Sequence, residues 1–160
     1  MSATVENNSG EQYSPSESVL PTLDSATGPL SFDIVEEEKD FHALEPDWNS
    51  IFLQQKNKLS EQSFARALVA WETVGRPKGR KLFIIVGRVR GRVVLIFPLS
   101  VQTLGPIRMA RGLGPEFYEY CDLLVSPVTG HESSVADAWD LAASQFDILR
   151  FPAICTTAHL

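Results

Sequence analysis

Residues 82 to 99 read LFIIVGRVRGRVVLIFPL, two wholly apolar runs (82–86 and 93–97) on either side of an arginine-rich turn. Each run is too short for a helix and rich in β-branched residues, so the pattern predicts a β-hairpin turning near Gly91. Gly91 takes the positive φ that Arg90 or Arg92 resists. Neither run alternates apolar with polar, as an antiparallel strand with one wet face does. Both faces of the sheet are therefore expected to be covered, with helices on both sides. Arg88, Arg90 and Arg92 then sit at the hairpin tip, as a solvated end or, in the alternative, as a phosphate contact.

The rest of the chain supplies the partners. SFDIV alternates through Phe32 and Ile34 and predicts a short first strand. EEEKD at 36–40 is a solvated loop or the acidic first turn of a helix. Trp48, Ile51 and Phe52 recur at helical spacing, with Pro46 suited to a first helical position. The clearest helix is SEQSFARALVAWETVGRP. Ser60 is its expected cap, Phe64, Ala67, Leu68 and Trp71 form its apolar face, and Gly75 and Pro77 supply its stop. Pro98 marks a bulge or an edge. Ile107 and Met109 start a further strand, and YEYCDLLVSP gives one centred on Leu123, Leu124 and Val125. Thr129 and Glu132 stand at capping-box spacing before a helix whose face is Val135, Trp139, Ala142 and Phe146. FDILRF closes with a short strand. The predicted class is α/β (α+β), a mixed, largely antiparallel sheet with helices on both faces.

Composition narrows the reading. The 160 residues are 44% hydrophobic, enough for one domain with a core. Residues 1–30 are rich in small and polar types and read as a disordered tail; the domain is placed at 31–151 and a C-terminal tail at 152–160. The net charge of -6, from 14 basic and 20 acidic side chains, argues against a nucleic-acid partner. Cys121 and Cys155 form no CxxC, and His42, His131 and His159 are scattered, so neither a disulfide framework nor a metal site is expected. There is no signal-peptide pattern, and no apolar stretch reaches the ~20 residues of a membrane span. Cytoplasm is the default location.

The element order and several residues resemble the N-terminal half of a GNAT-type acyltransferase. The branch is the CelD-like, cellulose-biosynthesis-associated family, with a FemAB-like double-GNAT layout. The features that carry the resemblance begin with Trp48 in the first helix, the face from Phe64 to Trp71 in the second, and the hairpin ending in Pro98-Leu99. RGLG at 111–114 follows, then YEYCDLLVSP in place of a Tyr-x-Asp-Leu-Leu-Val segment, and a helix leading into FDILRF. No single motif is diagnostic; their order over residues 31–151 is what matches.

The resemblance implies transfer of an acetyl or other acyl group from acyl-CoA to an amine or hydroxyl acceptor, with no metal. It also implies that a C-terminal half of comparable size is missing. A complementary half, or a second copy meeting the edge at 146–151, is then the expected partner. The alternative is a non-catalytic GNAT-like module that binds a partner half or another protein. Such enzymes hold the CoA pyrophosphate with backbone N–H groups of a Gln/Arg-x-x-Gly-x-Gly/Ala loop. MARGLG puts Gly112 and Gly114 at those offsets, with Met109 in the first position. RVRGRV offers Arg88 and Gly91, but Val93 stands where the second small residue belongs. Tyr120 and Asp122 match the family's Tyr-x-Asp and are the substrate-facing candidates, in a patch with Glu116, Tyr118 and Glu119. A polar loop running into a strand explains the same residues without function. No Gly-x-Ser-x-Gly occurs and neither cysteine has a histidine nearby, so nucleophilic catalysis has no support and no catalytic residue is assigned.

Overall fold

A computed structural model of the chain describes residues 28–56, 58–114, 123–127 and 132–151. Strand β1 (Leu30–Val35) is followed by helices α1 (Glu38–Ala43) and α2 (Glu45–Gln54). A 3-10 turn (Ser60–Gln62) leads into α3 (Phe64–Ala70), which continues as a π-helix over Trp71–Gly75. Strands β2 (Lys81–Val89), β3 (Arg92–Leu104) and β4 (Ile107–Gly112) come next, then the two-residue β5 (Leu124–Val125). Helix α4 (Glu132–Gln145) and strand β6 (Ile148–Arg150) complete the fold.

The sheet order is β1-β2-β3-β4-β6, with β5 also on β3. Every pairing is antiparallel except β4 with β6. The fold is thus mixed α+β, with a largely antiparallel six-stranded sheet. The unbroken apolar runs have the cause inferred for them. Side chains alternate between two cores instead of between core and water. Leu82, Ile84, Val86 and Ile96 face α1, α2 and α3, where Phe41, Trp48 and Phe64 pack edge to face or tilted. Phe83, Ile85, Leu95, Phe97 and Leu99 face α4, through Ala138, Ala142 and Phe146.

The turn of the hairpin differs from expectation. It has only two residues, Arg90 and Gly91, and both have positive φ, 51° and 78°. That is the type I′ pattern, whose twist matches the flanking strands. Arg90 therefore adopts the backbone region it was expected to resist; the strands on either side hold it there. Arg88 is also displaced from the tip. It lies within β2, and its Nε donates to Asp33 Oδ2 on β1 at 2.8 Å. A bulge between Gly87 and Arg88 leaves Val94 as the extra residue on β3.

Two helix signals also moved. EEEKD is in part the acidic first turn of α1, where Glu38 accepts hydrogen bonds from Trp71 Nε1 and Arg76. Ser60 does not cap α3. The cap position is Ser63, whose hydroxyl donates to the Ser60 carbonyl and accepts no bond from the first helical N–H groups. Gly75 does not end the helix by a left-handed turn. It lies in the π-helix, where a Cβ would fall 2.4 Å from the Trp71 ring. The turn comes at Gly79, with φ of 66°. At the other end of the sheet, Asp147 joins β6 to β4: its N–H donates to the Arg108 carbonyl and its carboxylate accepts from Arg108 N–H.

Ile34 and Ile85 are register partners with opposite environments, 42% and 0% exposed. Ile85→Ala is expected to destabilise by about 2–5 kcal/mol, and Ile34→Ala by about 1 kcal/mol or less, in urea denaturation. Equal effects would mean that β2 is not covered on the α4 side. In the same assay the turn should respond with opposite signs. Gly91→Ala forces a side chain into the left-handed region and costs about 1–2 kcal/mol, whereas Arg90→Asn, suited to the type I′ turn, stabilises.

Candidate functional site

Strand β3 pairs with β2 along one edge and divides its other edge between two strands. Leu99 to Leu104 pair with β4, and Leu95 and Ile96 pair with β5. Phe97 and Pro98 pair with neither. Pro98 was expected at a bulge or an edge strand, yet it lies in the middle of the sheet, opposite Ile84. The backbone explains this. The Pro98 carbonyl accepts the Leu113 N–H at 3.0 Å, so it points to the β4 side. In a strand the N–H and C=O of one residue point the same way. The donor that proline lacks would therefore face the space between β4 and β5. A proline there breaks no ladder bond to β2, and it leaves that space without a donor.

The two flanking strands then diverge. Gly112 is the last residue of β4, paired with Leu99, and Gly114 turns the chain with φ of 106°. Leu123 brings it back into the α4-side core, and Ser126 N–H donates to the Val94 carbonyl at 2.8 Å. The gap holds a cavity of about 20 Å³, room for roughly one water. Pro98, Gly112 and Leu113 form its rim. Trp48 and Ala67 line it on the α2–α3 side, and Phe97 and Phe151 on the α4 side.

Trp48 is held on its own side by more than packing. Its Nε1 donates to the Gln62 carbonyl at 2.8 Å, tying α2 to the 3-10 turn. Gln55, at the end of α2, donates to the Val125 carbonyl at 2.7 Å and so fastens β5 to the helix layer. Across the sheet, Phe97 stacks with Trp139 and Phe151 at centroid distances of 6.0 and 5.9 Å. The lining is apolar except for Glu61 and Gln62. Glu61 is the ionisable side chain among the lining residues, and its carboxylate accepts from the Ser60 hydroxyl at 3.2 Å.

The sequence-derived candidates fare unevenly. Gly112 lines the gap, and Gly114 lies two residues further on, where the chain turns. Met109, two residues further from the rim than Arg111, is a buried strand residue of β4. Arg88 and Gly91 are at the far end of the hairpin, with Arg88 paired to Asp33. Tyr120 and Asp122, with Glu116, Tyr118 and Glu119, lie outside the described residues, as do both cysteines. His42 is exposed on α1. Among the described residues no three His, Cys, Asp or Glu side chains come together as a metal site would require. Glu61 and Gln62 were missed as site residues. In sequence their segment reads as a helix start, and only their polarity ahead of the apolar face sets them apart.

If Pro98 is placed by the gap, replacing it should not improve the sheet. Pro98→Ala restores an N–H that faces the gap and also loosens the unfolded chain. It is expected to cost roughly 1 kcal/mol or more in chemical denaturation; a gain in stability would mean that β4 or β5 closes on β3 there. Compared with known proteins, the chain matches no family model, no curated protein and no solved structure.

Proposed function

We propose that the chain is a GNAT-like acyltransferase module that takes an acyl-CoA thioester at the gap on β3. The observation that carries this reading is the division of β3 between β4 and β5 at Pro98. It leaves an apolar opening in a sheet that is otherwise continuous, with Gly112 at its rim and Gly114 two residues beyond. Glycines at a strand end let a backbone approach a phosphate closely. In such a reaction the acceptor nitrogen or oxygen attacks the thioester carbonyl. The C–S bond breaks, CoA leaves as the thiolate, and the acceptor's proton passes by way of a base or water to the sulfur. Glu61 is the carboxylate beside the gap that is suited to receive an acceptor proton. Tyr120 and Asp122 keep their proposed role of steering the acceptor.

A second reading, a non-catalytic GNAT-like module that binds a partner half or another protein, is favoured by one observation. The cavity at the gap is about 20 Å³, far below the ~300 Å³ at which small-molecule pockets begin.

Calorimetric titration of the full chain with acetyl-CoA separates the two. One-to-one binding weaker than micromolar is expected, because Met109 stands where the loop pattern has Gln or Arg. Leu113→Trp, which fills the gap, should abolish it. No binding at millimolar acetyl-CoA, or binding unchanged in Leu113→Trp, overturns the acyltransferase reading and leaves the second.

A further inference from the structure

The hairpin of β2 and β3 carries Arg88, Arg90 and Arg92 around its turn. Arg88 is accounted for: its Nε donates to Asp33 Oδ2 at 2.8 Å, and its Nη1 donates to the Gly91 carbonyl at 3.2 Å. Arg90 and Arg92 are exposed, and among the described residues neither has a hydrogen-bond or ion-pair partner for its guanidinium. Asp33, the carboxylate bonded at this end of the sheet, is taken by Arg88. Turn geometry does not ask for a cation either. Arg90 has a φ of 51° in a type I′ turn, where Asn, Asp or Gly is the favoured residue. Two accessible guanidinium groups thus stand at the end of the hairpin, in a chain of net charge -6.

The complementary charge lies in the sequence that leads into β1. All 14 Lys and Arg side chains come after residue 27, whereas residues 1–27 hold Glu6, Glu11, Glu17 and Asp24 and no Lys, Arg or His. That segment joins the fold at the tip itself. A Cβ added at Gly28 would lie 3.2 Å from Val89 Cγ1 and 3.4 Å from Arg90 Nε. Asp24, four residues earlier, is therefore within about 14 Å of that point, whatever path the chain takes. A single exposed ion pair contributes little. Here the carboxylates are tethered to the arginines, which sets their effective concentration at about millimolar, and several of them share the same two cations.

We infer that the hairpin tip is the docking surface for the acidic segment 1–27 of the same chain. Arg90 and Arg92 present planar guanidinium forks that match the two oxygens of a carboxylate. The chain's own segment is the occupant because it enters the fold against Arg90, so any outside anion has to compete with it. Both partners are exposed, so salt screens the contact. The gap lies further along β3, at Phe97 and Pro98, and the inference does not depend on acyl transfer.

The test compares amide NMR spectra of the full chain with those of Glu6→Gln/Glu11→Gln/Glu17→Gln. Asp24 is left in place because its sequence position alone keeps it near the tip. Neutralising the three glutamates should shift the amides of Arg90, Gly91 and Arg92, and raising sodium chloride in the wild type should move them the same way. Glu45→Gln/Asp47→Asn, at exposed positions on α2, should leave them in place. Reciprocally, Arg90→Asn/Arg92→Gln, which removes both charges and suits the turn, should shift the amides of Glu11 and Glu17. Arg90→Lys/Arg92→Lys, which keeps the charges and loses the forks, should shift them less. The inference fails if the tip amides do not move when the glutamates are neutralised, or if the α2 variant moves them as much. It also fails if the shifts grow with protein concentration, which assigns the contact to the segment of a second copy. Acetyl-CoA takes no part, so this result and the acetyl-CoA titration stand or fall separately.

Discussion

Strands β2 and β3 are buried on both faces, and that one pairing organises everything else. Their ladder runs from the Val89–Arg92 pair at the turn to the Lys81–Val101 pair. Successive side chains enter opposite cores, so each strand glues two helix layers to one sheet. Fully burying one aliphatic side chain is worth about 1.5–3 kcal/mol, and the hairpin supplies most of the large residues that are fully buried. It is also the cheapest part of the sheet to form, because a two-residue turn closes it with little loss of loop entropy. Strand β1 adds to one side of this unit, while β4 and β5 share the other.

Much of that architecture was legible because burial leaves a pattern. The absence of alternation in 82–86 and 93–97 predicted covered faces, and helical spacing located Trp48, Phe64 and Trp71 on one core. What stayed illegible depends on tertiary context. Arg90 takes a positive φ because two strands fix the turn around it, against its local preference. Ser60 looks like the cap, but the 3-10 turn moves the cap position to Ser63, whose hydroxyl bonds the Ser60 carbonyl. Pro98 looked like a strand limit because sequence does not tell which side its absent N–H would face.

The candidate site was less legible, for a related reason. Gly112 and Gly114 stood out through the offsets of the family's loop pattern; in the fold β4 ends at Gly112 and the chain turns at Gly114. The gap itself arises from one strand having two partners, and those partners are separated in sequence by residues 113–123. Glu61 comes to the gap because Trp48 bonds the turn that carries it. Motif matching searches along the chain, whereas these groupings lie across it.

The width of the gap is set from two sides that have little to do with each other. On one side β5 is bonded to α2 through Gln55, and α2 is bonded to the 3-10 turn through Trp48. On the other side β4 is locked to β6 and the end of α4. There the Arg108 guanidinium donates to the Gln145 carbonyl and lies 5.0 Å over the Phe146 ring, next to the paired Asp147. A cation at a helix C-terminus is favoured by the helix dipole as well. Strand β3, held to β2 throughout, is the fixed wall between these two assemblies. Pro98 offers neither of them an N–H, so no ladder bond draws β4 and β5 together across it. A change in the spacing of the two helix layers therefore acts on the gap first, before it acts on the ladder that holds the fold.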